Sequence, residues 1–163
     1  MPLQPRVKVD ASGAIATFDP NRGISVNIRN RLRPTIIDLT RRLGARVDSN
    51  LSAGLKTRRS LYVKKEMVED AKGVIGRVTT LSTKNPMLPI WLEEGTKPHP
   101  IVARNARALY FFWDKVGANV FFKRVMHPGF AGIHYTQNAF SDMQSEIKSA
   151  IRKAVSDGLG TRR

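Results

Sequence analysis

Residues 61–81 read LYVKKEMVEDAKGVIGRVTTL. Leu61, Val63 and the residues to about Glu69 suit a strand. Asp70-Ala71-Lys72-Gly73 is a turn, and Val74 to Leu81 is a second strand rich in β-branched residues. Two strands joined by so short a turn pair as an antiparallel hairpin, and this hairpin anchors the fold assignment.

Upstream, Ile24, Ile28, Leu32, Ile36, Leu39 and Leu43 recur at helical spacing. Asp19 is placed as an N-cap with Pro20 in the first turn, and Gly44 as a stop. Pro34 interrupts the pattern, since a mid-helix proline removes a hydrogen bond. Two arrangements follow: one kinked helix, or a loop and then a helix from about Pro34 to Gly44. Residues 47–56, VDSNLSAGLK, read as a loop from their small polar composition. Further upstream, residues 6–18 are expected to form a hairpin through alternating Val7 and Val9, a Ser12-Gly13 turn, then Ile15 and Phe18.

Downstream, residues 82–89 form a proline-containing loop, and Ile90-Trp91-Leu92-Glu93 resumes apolar character. Pro98 and Pro100 enforce an extended stretch. Ala108-Leu109-Tyr110-Phe111-Phe112-Trp113 is strongly apolar and is expected to be a buried strand, with residues 120–125 pairing back. Phe140, Met143, Ile147, Ala150, Ile151 and Ala154 mark one helical stripe, with Gly158 as its stop. The expected class is α+β: a central antiparallel sheet of short strands packed by an N-terminal and a C-terminal helix. The expected division is an N-terminal extension over 1–20, one domain over 21–158 and a frayed tail over 159–163.

The 163 residues carry 28 Lys+Arg against 13 Asp+Glu, a net charge of +15. Residues 1–72 hold 15 basic and 7 acidic residues, and residues 73–163 hold 13 and 6, so the excess is spread along the chain. Such a bias points to a polyanionic partner or to compensating neighbours. The densest segment runs from Asn21 to Arg46, where Arg29, Arg31, Arg33, Arg41 and Arg42 form the candidate polyanion-facing set. A solvated helix face is the competing explanation. With no cysteine, disulfides, thiolate metal sites and thiol catalysis are excluded. No apolar run reaches the length of a membrane span and the start lacks an apolar signal core, so synthesis in the cytoplasm and no membrane partner are expected.

No catalytic constellation emerges, and neither an enzyme nor a cofactor is expected. Glu93 and Glu94, if on a strand, point to opposite faces and cannot form an acid–base pair. His99, His127 and His134 lack any metal-ligand spacing. The aromatic run Tyr110 to Trp113 fills both faces of a strand, which favours a core or subunit interface over a base-stacking platform.

One ordered set of short motifs remains. Leu92-Glu93-Glu94-Gly95-Thr96 is followed by Pro98-His99-Pro100-Ile101, Ala108-Leu109-Tyr110-Phe111, Val120-Phe121, and Val125-Met126-His127-Pro128-Gly129. In order and spacing this resembles the tail-component family of long-tailed bacteriophages, similar to the lambda-type minor tail protein Z group. Val47-Asp48-Ser49 and Ser52-Ala53-Gly54-Leu55 resemble that family's entry to its first hairpin, without its usual proline and threonine. The resemblance covers about residues 30–157 and depends mainly on 92–129.

It implies a virion protein at the head–tail junction that completes the tail. It also implies a homo-oligomer, a ring of six copies, between the head connector or head-closure protein and the tail terminator or tail tube. Contact with genome DNA follows as a further expectation. Subunit contacts would fall on Trp91, Glu93, Glu94, Thr96, Tyr110, Phe112 and Trp113. Gly95, Pro98, His127, Pro128 and Gly129 would be architectural, with the His127-Pro128-Gly129 turn launching the last helix. The alternative is a sequence-independent DNA-binding protein using the arginine-rich helix.

Overall fold

The computed structural model describes residues 6–10, 26–55, 60–70 and 73–160. The Ser12-Gly13 turn, Ile15, Phe18, the Asp19-Pro20 helix start, Arg22, Ile24, the centre of the turn at 71–72 and the last three residues lie outside that set.

The fold is α+β. Strand β1 (Arg6–Asp10) precedes helix α1 (Val26–Gly54), and β2 (Leu61–Asp70) and β3 (Gly73–Ser82) follow as the expected hairpin. Its register runs from Leu61↔Ser82 to Asp70↔Gly73. β3 is central, in the order β1-β3-β2. β1 pairs antiparallel with β3, from Arg6↔Thr79 to Asp10↔Ile75. The expected strand at residues 6–10 is therefore present, and its partner is β3.

Period-two alternation decides which face of this sheet is buried. Val74, Gly76, Val78 and Thr80 are buried along β3. α1 packs on the hairpin, and the C-terminal helix α3 (Tyr135–Gly160) packs along α1. The two helices are antiparallel: Gly158 meets Ile28, Arg46 pairs with Asp142, and the Asn50 side chain donates to the Tyr135 carbonyl at 3.2 Å. The core is the α1 stripe Ile28, Leu32, Ile36, Leu39, Leu43, Val47 and Leu51 against Tyr135, Ala139, Met143, Ile147, Ile151 and Ala154 of α3. Each fully buried aliphatic side chain contributes roughly 1.5–3 kcal/mol of transfer free energy.

Residues 47–54 are not a loop, because α1 continues to Gly54. Val47 and Leu51 extend the stripe at four-residue steps, and their burial outweighs the polar composition around them. Of the two arrangements at Pro34, the helix is continuous through it, with Pro34 on the exposed face, where water can satisfy the Asn30 carbonyl that the proline leaves without a helical donor.

Gly44 and Gly158 are not stops. A Cβ at Gly44 would meet the Lys65 stem at 2.5 Å, and one at Gly158 would meet the Ile28 backbone at 2.7 Å. Both are close-approach positions inside helices, as a missing side chain allows.

Candidate functional site

A short helix α2 (Leu88–Glu94) follows β3, with Pro89 in its first turn, where proline costs no hydrogen bond. Glu93 and Glu94 therefore lie at a helix end and not on a strand. Beyond α2, residues 95–131 form three successive two-stranded pairings: β4 (Gly95–Thr96) with β9 (Phe130–Ala131), β5 (His99–Val102) with β8 (Arg124–His127), and β6 (Leu109–Trp113) with β7 (Ala118–Phe122). They are nested, so together they make one antiparallel ribbon that leaves α2 and returns to α3. At about 3.3 Å per residue the return strand spans roughly 40 Å.

This arm is not a core element. Tyr110 is 61%, Phe112 57% and Phe121 70% exposed, and Trp113, Phe122 and Met126 are also exposed. The expected buried strand at 108–113 is thus a strand, but a solvent-facing one. Its aromatics touch one another: Tyr110 and Phe121 have ring centroids 4.7 Å apart, and Trp113 meets Phe122 edge-on at 5.7 Å. Both faces of the tip carry aromatic residues, through the cross-strand pairs Tyr110↔Phe121 and Leu109↔Phe122.

The root is built for close backbone approach. Gly95 (φ +83°) and Gly129 (φ +77°) occupy conformations that other residues rarely adopt, and a Cβ at either would collide with backbone of the opposite strand. His99 and His127 face each other across β5 and β8, with centroids 5.1 Å apart. The Gly129 N–H donates to His127 Nδ1 at 3.1 Å. The His127-Pro128-Gly129 turn therefore closes the root of the arm; it does not launch α3, which starts at Tyr135.

Glu93 fixes the arm's platform. The backbone N–H groups of Thr136 and Gln137 donate to its Oε2 and Oε1 at 2.9 and 3.0 Å. A carboxylate borrowed from α2 thus caps α3, whose own first turn contains no acid. Glu94 is exposed. The buried Tyr135 hydroxyl donates to the Pro89 carbonyl at 3.1 Å. Burial, reinforced by the Glu93 charge, pushes its phenol up to about 12. Trp91, half exposed, lines a cleft of about 370 Å³ at the root with Gly95, Thr96, Lys97 and His99. The structure thus gathers Trp91, Gly95, Thr96, Pro98, His127, Pro128 and Gly129 at one end of the arm and Tyr110, Phe112 and Trp113 at the other.

The arginines of α1 sit apart from the arm and face carboxylates of their own chain. Arg29 and Arg33 lie 3.9 and 3.3 Å from Glu69, Arg41 lies 2.8 Å from Asp38, and Arg42 contacts Asp38 and Glu146. Arg46, outside the candidate set, pairs with Asp142 at 2.8 Å. Arg31 is exposed.

The arm carries the opposite pattern, which the sequence reading missed. Lys97, Arg104, Arg107, Lys115, Lys123 and Arg124 face Asp114 alone, and all are exposed. None of the six forms an ion pair among the described residues.

Compared with known proteins, the chain matches no family model, no curated protein and no solved structure.

Proposed function

We propose that the chain is a structural subunit of a bacteriophage neck, assembling into a six-copy ring that completes the tail and joins it to the head connector. The observation that carries this reading is the arm. A two-stranded ribbon is marginal by itself in water, and this one holds aromatic surface on both faces away from its own core. Such a surface fits burial against a neighbour. The outer edges of both strands also offer unpaired backbone groups for that contact. The rigid root, set by Gly95, Gly129 and the Glu93 cap, fits an arm that must leave the body at a fixed angle. The motif order over residues 92–129, which resembles phage tail components, supplies the biological setting.

In this reading the chain acts by assembly rather than by catalysis. Trp91, Thr96, Tyr110, Phe112 and Trp113 supply subunit contacts, Glu93 holds the arm's platform, and Glu94 is free to meet a neighbour. Negative-stain electron microscopy of the purified chain, alone and mixed with the head-closure and tail-tube proteins of a phage that carries its gene, tests the proposal. Closed rings of uniform diameter are expected. A monomer under all of these mixtures overturns it.

A further inference from the structure

The arm's pairing changes register once. Val102↔Arg124 is the last pair of β5 and β8, and Leu109↔Phe122 is the first of β6 and β7. Six residues, 103–108, therefore stand opposite Lys123 alone, bridged by a long hydrogen bond from the Ala103 N–H to the Lys123 carbonyl at 3.5 Å. The register thus puts Arg104 and Arg107 in the segment that stands opposite Lys123, next to Arg124 on the return strand. That makes four exposed cations in one mid-arm collar, without a carboxylate in the segment.

Like charges placed across a strand pair repel. On α1 and α3 the same chain relieves its basic residues with Glu69, Asp38, Glu146, Asp142 and Asp157. At the collar it does not. Three of the four cations are arginines, whose guanidinium fork suits phosphate oxygens. Lys97 near the root, and Lys115 beside Asp114 at the tip turn, extend the charge along the ribbon on either side of the collar. A line of charge on an extended ribbon matches a linear polyanion.

We propose that the collar of Arg104, Arg107, Lys123 and Arg124 binds the phosphodiester backbone of double-stranded DNA, independently of sequence. The α1 arginines are not the principal contact. The proposal rests on the arm's charge and register, and it holds whether or not the chain forms a ring.

The test is fluorescence anisotropy with short labelled duplexes of unrelated sequence, in a salt series. Two charge-matched variants are compared with the unaltered chain: R104Q/R107Q/K123Q/R124Q in the arm, and R31Q/R33Q/R41Q/R42Q on α1. Each phosphate contact contributes about 0.9 to the slope of log K against log salt. The arm variant is expected to lose roughly 3 to 4 from that slope and to bind at least about tenfold more weakly at low salt. The α1 variant is expected to keep most of both. Circular dichroism checks folding. The loop-only pair R104Q/R107Q, which alters no paired strand residue, is expected to lose roughly 2 from the slope.

The proposal is overturned if the unaltered chain binds duplex without a salt slope or not at all. It is also overturned if the loop pair leaves the slope unchanged, or if the α1 variant loses as much as the arm variant. Preference for a polyglutamate probe over duplex would equally overturn it, and would assign the collar to an acidic protein instead.

Discussion

Replacing the three most exposed aromatics of the arm tip, as Y110S/F112S/F121S, separates assembly from folding. These residues are 61%, 57% and 70% exposed. An aromatic side chain presents about 200 Å² when fully exposed, so together they hold on the order of 370 Å² available for burial. At about 25 cal/mol per Å², covering that surface is worth roughly 9 kcal/mol per subunit before association costs. Even if only a third of it survives those costs, its loss weakens self-association by more than about 100-fold.

The body core uses none of these residues, so at a concentration where the unaltered chain is monomeric the melting temperature should stay within about 2 °C of that chain. Sedimentation velocity over a wide concentration range reads the first effect and a thermal melt reads the second. The reasoning is refuted if the triple variant sediments like the unaltered chain. It is equally refuted if the variant melts far lower, since the tip would then belong to the core.

Other consequences are local. Glu93→Ala removes two N–H acceptors from the start of α3 and should cost about 1–2 kcal/mol, lowering the melting temperature by roughly 2–8 °C, whereas Glu94→Ala should leave it unchanged; calorimetry of both variants decides. Gly129→Ala places a Cβ against the Thr96 carbonyl at positive φ; it should destabilise the root by at least about 1 kcal/mol and speed amide exchange in β4 and β9. Tyr135 is about 10 unfolded and about 12 folded, so the neutral phenol favours the folded state. That contribution is complete below pH about 10 and is lost as pH rises towards 12; urea titrations should show the unaltered chain losing about 2 kcal/mol relative to Tyr135→Phe across that window.

The helical stripes and the β2–β3 hairpin were legible because burial imposes a period that composition cannot hide. Leu32, Leu39 and Leu43 mark one face of α1, and Ile147 and Ile151 mark one face of α3. The same period would have extended α1 through Val47 and Leu51, had it been weighed above the polar residues between them. Gly44 misled because a glycine needed for close approach looks, in sequence, like a glycine needed for a turn.

The arm was half legible. The tip hairpin follows from the apolar run 108–113 and the return expected at 120–125, although the partner strand is Ala118–Phe122 and residues 124 and 125 pair with β5 instead; its exposure does not follow. An apolar run looks the same whether it is covered by its own chain or by a partner. The role of Glu93 was not legible from its neighbour Glu94. Its partner was hidden because the cap comes from a separate helix, 43 residues before Thr136. One signal pointed to it: α3 begins at Tyr135 after His134, with no acid of its own in the first turn. The arginine count exposed the charge but not its neutralisation, because Glu69, Asp142 and Glu146 approach α1 only through tertiary packing.

The most direct test of the neck assignment is immunogold localisation of this chain on intact virions purified from a culture that carries its gene. Label confined to the head–tail junction is the predicted result. A chain abundant in the lysate yet absent from both intact and disrupted virions would contradict the assignment.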